Sequence, residues 1–281
     1  MLHLFKGRNT LDIKKKSSVR ISIITVTYNC VDTLGRTLDS LAKQEYDNIE
    51  TIWIDGDSRD GTKEILASRF NLKNGAFVSS PDGGIYEAMN NGINLATGDI
   101  IGFLHADDLY PDDYVLSKIA KIFENPEVDA IYGDLVYIKR DNPLKIVRYW
   151  QSGDFERKNL KLGWMPPHPT LYLRSYLYKK IGVFDERYRI SADYDFILRL
   201  FSDKELKFIH LPEVIVKMSV GGQSNKSIRN ILLKIYEDCL VMRRNKINFL
   251  QALFFKNFSK IPQLIFNNDE KHLNRSADDL I

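Results

Sequence analysis

Apolar residues in this chain follow two alternating rhythms. At 21–27, I-S-I-I-T-V-T is a short buried-type run closed by the turn residues Tyr28 and Asn29, which predicts a strand. Over 31–44 the period changes: Leu34, Leu38 and Leu41 fall three or four apart, which predicts a helix with one apolar face. The alternation continues with a strand expected at 49–55, a helix at 63–70 and a strand at 76–79. Asp82-Gly83-Gly84 opens a further helix whose Ile85, Met89, Gly92 and Ala96 share a face, and Thr97-Gly98 stops it. Ile100, Ile101, Phe103 and Leu104 then form an apolar run suited to a buried strand, ending in the paired carboxylates Asp107 and Asp108.

Beyond that pair the pattern predicts a helix at 112–123 and strands at 130–138 and 145–150. Pro166-Pro167-His168-Pro169 is a rigid connector before a short strand at 170–173. An amphipathic helix at 192–201 turns Phe196, Ile197 and Leu200 inward, and two late strands are expected at 208–211 and 214–218. A long helix at 227–244 carries Ile228, Ile231, Ile235, Cys239 and Met242 on one stripe. Strands and helices alternating through short turns predict an α/β chain with a doubly wound sheet in its first half. Right-handed crossovers gather the ends of the first, second and fourth strands on one edge. Tyr28, Asp55 and Asp107 are therefore expected to face one crevice, the usual ligand position in such sheets. The expected organisation is an arm over 1–18, a catalytic domain over 19–222 and a helical extension over 223–281.

Composition narrows the function classes. Of the 281 residues, 44% are hydrophobic and 27% charged, as in ordinary globular proteins, and a net charge of +3 gives no case for nucleic acid. Cys30 and Cys239 match no disulfide or zinc spacing, which favours a reducing compartment, and hence the cytoplasm. No apolar run reaches bilayer length and the basic N-terminus has no signal-peptide pattern, so a soluble or peripheral protein is expected.

Candidate chemistry begins at Asp107 and Asp108. Adjacent carboxylates repel unless a positive group lies beside them, and a divalent metal carrying a diphosphate would serve, although a turn and helix cap explains the pair equally well. There is no G-x-G-x-x-G after the first strand and no Walker-type loop, so neither dinucleotide nor P-loop binding is supported.

Five stretches stand instead: S-I-I-T-V-T-Y-N at 22–29, W-I-D-G-D-S-R-D-G-T at 53–62, D-G-G-I-Y-E-A-M-N-N-G-I at 82–93, A-T-G-D-I-I-G-F-L-H-A-D-D at 96–108 and S-A-D-Y-D-F-I-L-R-L at 191–200. In this order and spacing the chain resembles the inverting glycosyltransferases of family 2. The resemblance implies a GT-A fold, a doubly wound mixed sheet with a Rossmann-like nucleotide-binding half. It also implies transfer from a nucleotide-sugar donor, commonly a UDP-sugar, to a saccharide or lipid-linked saccharide in cell-surface polysaccharide biosynthesis. By the same resemblance Val26, Tyr28 and Asn29 cradle the base, and Asp55 hydrogen-bonds it. Asp82 reaches the nucleotide, Asp107 approaches ribose and metal, and Asp108 is the direct ligand of Mn2+ or Mg2+. His105 replaces the first carboxylate of the metal motif, and beside Asn90, a position often flanked by arginine in the family, Met89 stands instead. Asp193 takes the position of the catalytic base.

Each of these residues also has a bland role open to it. Tyr28 can pack under its loop, Asp55 can form a turn, and Asp82 and Asp193 suit a helix start. Asp195 lies four residues before Arg199, an ion-pair spacing, and is read as structural. His168, between its prolines, can meet the diphosphate or acceptor or be structural, and the loop Gly221-Gly222-Gln223-Ser224 can close over the donor or be a plain connector. Two other classes remain in view: a sugar-nucleotidyltransferase, disfavoured because Tyr28-Asn29-Cys30 is no glycine-rich phosphate loop, and a silent nucleotide-sugar binding module. The basic, aromatic stretch at 246–266 suits the inner face of an anionic membrane, or packing against the catalytic domain or a second subunit of a homo-oligomer.

Overall fold

A computed structural model describes residues 19–70, 74–220 and 228–247. The expected arm at 1–18, the 221–224 loop and nearly all of the 246–266 stretch lie outside them. Helices and strands alternate from the start: β1 (Ile21–Thr27), α1 (Val31–Ala42), β2 (Ile49–Asp55), α2 (Thr62–Arg69), β3 (Gly75–Ser79), α3 (Ile85–Leu95) and β4 (Ile100–Phe103). There follow β5 (Asp108–Leu109), α4 (Val115–Phe123), β6 (Ala130–Ile138), β7 (Ile146–Trp150) and α5 (Arg157–Leu160). The chain continues through a 3-10 turn (His168–Thr170), β8 (Tyr172–Arg174), α6 (Tyr176–Ile181), α7 (Ala192–Ser202), β9 (Phe208–Ser219) and α8 (Ile228–Arg244).

All nine strands join one mixed sheet in the order β3-β2-β1-β4-β8-β6-β9-β5, with β7 paired on β6. Strands β3, β2, β1 and β4 run parallel, and their register aligns Thr27 with Asp55 and Asp55 with Ser79. The carboxyl ends of β1, β2 and β3 therefore finish level, as right-handed crossovers require. One face packs Ile24, Ile54 and Phe103 against α3 and α7, and the other packs Ile21, Ile23 and Ile100 against Leu116, Ile119 and Phe123 of α4. Close approach of α3 to β1 depends on Gly92, where an added Cβ would lie 2.5 Å from Ile24 Cγ2. Among the described residues no helix is long and apolar enough to cross a membrane.

The expected elements form with three differences. The two late strands are one, β9, because its pairing with β6 jumps from Gly133↔Leu211 to Asp134↔Val214. Pro212 and Glu213 form a bulge that interrupts the ladder without ending the strand. The short elements β5, α5 and α6 carry no periodic signal of their own. Helix α8 is turned relative to its apolar stripe: Ile231 and Ile235 are exposed, while Glu237, Asp238, Val241 and Met242 are buried.

Candidate active site

The floor of the crevice is built on Asp55, the last residue of β2. It is fully buried, and all of its acceptor positions are used. Oδ1 accepts from the hydroxyls of Thr27 (2.9 Å) and Ser58 (2.5 Å), and Oδ2 accepts from the Ser58 amide (2.9 Å) and the Ser79 hydroxyl (2.7 Å). Asp55 thus ties together the carboxyl ends of three parallel strands. A base N–H reaching it must displace one of these four donors. Tyr28, by contrast, is 62% exposed, which leaves a ring face open for stacking. Asn29 has φ 46°, a left-handed conformation that asparagine tolerates, and its side-chain oxygen accepts from the Arg59 amide. Val26 places its side chain in the core, so it meets no ligand there except through its backbone. An added Cβ at Gly56 would lie 2.9 Å from Asp82 Oδ2 and 3.3 Å from the Tyr28 ring, so both side chains close over this glycine. Burial, with Glu87 and Asp55 nearby, raises the pKa of Asp82, which also accepts the Gly84 amide as a turn-former.

Asp107 and Asp108 part company at the end of β4. Asp107 keeps 24% of its side chain exposed and lies 3.3 Å from the Arg140 guanidinium. Asp108 is fully buried, held by the pairing of β5 with β9, and neither of its carboxylate oxygens has a hydrogen-bond partner. Burial first, then the Asp107 charge, pushes its pKa well above the ordinary range. His105 Nδ1 is likewise enclosed without a partner. His168 does not reach the crevice: it is buried among Phe103, Phe184 and His105, and burial with the His105 charge lowers its pKa to about 3.

Asp193 sits in the first turn of α7, where its carboxylate lies 3.2 Å from the Tyr86 hydroxyl of α3. Tyr86 donates to the Ile190 carbonyl at 2.6 Å and so fixes the approach to the helix. From the other side, Glu237 of α8 accepts the backbone amides of Arg189 (2.9 Å), Ile190 (2.8 Å) and Ser191 (3.0 Å). Asp238 accepts the Ser191 hydroxyl at 2.7 Å. Asp195 is fully buried and accepts from Arg199 at 2.8 Å, the structural pair its spacing predicts. Burial first, and then the charges of Asp108 and Asp193, raises the pKa of Tyr137 of β6 against the lowering effect of Arg148.

This arrangement has counterparts among known proteins. The profile of glycosyl transferase family 2 matches residues 22–183, more than half of the chain. The chain belongs to glycosyl transferase family 2. A PGL/p-HBAD biosynthesis glycosyltransferase of Mycobacterium tuberculosis is 34% identical over 218 residues, covering 76% of this chain and 82% of that protein. An uncharacterized glycosyltransferase of Rickettsia prowazekii is 27% identical over 226 residues, covering 78% and 69%. Among solved structures, S. aureus TarS 1–349 in complex with UDP-GlcNAc superposes with a TM-score of 0.59 at 18% identity, covering 77% of this chain and 65% of that one. The mannosyltransferase PcManGT of Pyrobaculum calidifontis, with GDP-Man and Mn2+, gives 0.59 at 18%, covering 89% and 74%. The fold of this glycosyltransferase is therefore GT-A.

Four contributors to the glycosyltransferase's crevice escaped the sequence reading. Ser58 and Ser79 saturate Asp55, Tyr86 meets Asp193, and Glu237 holds the start of α7. Tyr86 lies inside the motif at 82–93 and was within reach of inspection. Glu237 had no signal, since an acidic pair on a basic helix reads as solvated surface.

Proposed function

We infer that this protein is an inverting glycosyltransferase that moves one sugar from a nucleotide donor, UDP-linked, to a hydroxyl of a saccharide or lipid-linked saccharide. The observation that carries this reading is the buried, unpartnered carboxylate of Asp108 next to the open Asp107 at the end of β4, on a fold shared with proteins bound to UDP-GlcNAc and GDP-Man. Tyr28 stacks on the base, with Asp55 as the floor beneath and Asp82 beside it. Asp193 takes the proton of the acceptor hydroxyl as its oxygen attacks the anomeric carbon and the nucleoside diphosphate departs from the opposite side. A positioned carboxylate base suits this because the free hydroxyl is a poor nucleophile.

The site also fits a divalent cation. Among the described residues no cluster of three or more ligand-type side chains is arranged to hold a metal. Mg2+ and Mn2+ in such sites need only one or two carboxylates, the rest coming from water and substrate phosphates. Asp108, buried with both oxygens unpartnered, is the kind of group a cation would compensate. Asp107 is the open carboxylate, so we place it first toward the metal and Asp108 behind it, the reverse of the order expected from the family motif. Such an ion would neutralise charge on the departing diphosphate.

Calorimetric titration with UDP, GDP and dTDP, each with and without manganese, tests the reading. Manganese-dependent binding of UDP alone is expected. Binding of GDP instead would correct the base, and binding of none would remove the donor site.

A further inference from the structure

The crevice is richer in carboxylates than in free cations. Asp82 feels the charges of Glu87 and Asp55, and Asp108 that of Asp107, while Lys63 and Arg59 both face Asp57, at 2.8 and 3.8 Å. A nucleoside diphosphate adds further negative charge, which the field of these groups opposes. Among the described residues the cation in contact with Asp107 is Arg140, at 3.3 Å. It lies in the turn between β6 and β7, closed by the Lys139 amide donating to the Lys145 carbonyl. Arg36 of α1 donates to the Arg140 carbonyl at 2.9 Å and fastens this turn to α1. Beside it is an open surface depression of about 600 Å3 lined by Asp32, Thr33, Arg36, Lys139, Arg140, Asp141 and Val220.

We propose that Arg140 is an exchangeable cation of the donor site. It neutralises Asp107 in the nucleotide-free protein and moves to the donor's diphosphate when nucleotide and divalent metal arrive. The proposal rests on the nucleotide-sugar reading of the site. Its physical basis is the guanidinium fork, which fits a carboxylate and a phosphate equally well. Arg140 is about half exposed, with its backbone held by Arg36 and its guanidinium tied to the protein through Asp107. Two consequences follow from linkage. Arg140 and a metal compete for Asp107, so removing the arginine favours metal alone. Arg140 and the diphosphate attract, so removing it disfavours the nucleotide.

The test uses Arg140→Gln, with Arg140→Lys in parallel and a thermal melt to confirm folding. Manganese alone is followed by the electron paramagnetic resonance of the free ion. Calorimetry at saturating manganese then measures whichever nucleoside diphosphate the wild type binds, and the matching monophosphate. Arg140→Gln is expected to bind manganese alone a few-fold more tightly and the diphosphate roughly ten-fold more weakly, as loss of one charge-assisted contact implies. The monophosphate changes far less, and Arg140→Lys falls between. Unchanged diphosphate affinity in Arg140→Gln would overturn the proposal whatever manganese does, and so would equal losses for the two nucleotides. Failure of the wild type to bind any diphosphate is a separate result that removes the donor-site reading and this proposal with it.

Discussion

Asp108 is buried with no hydrogen-bond partner, and burial together with Asp107 holds its carboxyl well above the ordinary range. A carboxyl raised in this way binds more protons folded than unfolded, so its ionisation at neutral pH weakens the fold. Asp108→Asn is therefore expected to raise the melting temperature at pH 7.5 without metal, by an amount corresponding to roughly 1–3 kcal/mol. The same variant should lose the extra stabilisation that manganese and nucleotide confer on the wild type. A lower melting temperature for the metal-free variant would mean that Asp108 is satisfied by groups other than a cation. Asp193 behaves differently, because it is held rather than stranded. Asp193→Asn should reduce kcat by roughly 100- to 10,000-fold, the usual worth of a positioned base, and leave donor affinity within about two-fold. An unchanged kcat would show that a group other than Asp193 takes the acceptor proton, whereas a wild type that binds donor without any turnover would return the protein to the binding-module class. At this scale the motifs were legible because they are local. The satisfaction of Asp55 by Ser58 and Ser79, and the opposite burial of Asp107 and Asp108, depend on strand pairing and could not be read from spacing.

Among the elements, α8 shows most clearly where a sequence pattern misleads. Its stripe of Ile228, Ile231, Ile235, Cys239 and Met242 predicts an apolar contact face, yet the helix packs through Glu237, Asp238, Val241 and Met242. The cause lies outside the helix. The backbone amides of Arg189, Ile190 and Ser191 turn toward α8, and buried N–H groups must find acceptors. One carboxylate serves all three and draws the acidic side of α8 inward. This makes α8 a brace for the start of α7, where Asp193 lies. Glu237→Gln keeps the shape and one acceptor oxygen but loses the charge, and is expected to destabilise by roughly 2–4 kcal/mol. Because Asp193 is displaced with the loop, kcat should fall while the affinity for nucleoside diphosphate stays near wild type. Equal losses in both would show that α8 supports the whole crevice. By contrast β1, β2 and β6 were legible to the residue, since each is a short apolar run bounded by turn residues. The union of the two late strands into β9 was hidden because Pro212 looks like a strand end until the bulge is seen.

Over the whole molecule, the two halves of the sheet are fastened by polar groups that respond oppositely to pH. In the parallel half, buried Glu50 of β2 accepts from Ser22 at 2.5 Å, from the Thr97 amide at 2.8 Å and hydroxyl at 2.6 Å, and from Arg20 at 3.1 Å. Burial alone would raise its pKa, but these donors together hold it below 4.5. Its contribution is present above the unfolded value and is lost as pH falls through the folded one. In the other half, His210 of β9 bridges Asp134 of β6 at 3.1 Å and Asp154 at 3.3 Å, with its ring stacked on Tyr132. Burial opposes its charge, yet the two aspartates outweigh burial and raise its pKa above 6.5. Its contribution is present below the unfolded value and is lost as pH rises through the folded one. Stability should therefore decline at both ends of the scale for different reasons. Melting temperatures of wild type and His210→Gln are expected to differ most near pH 6 and to converge toward pH 9, while Glu50→Gln differs from wild type most above pH 5. A gap for His210→Gln that widens with rising pH would show that the histidine works as a neutral hydrogen-bond donor and that the two aspartates are held apart by other means.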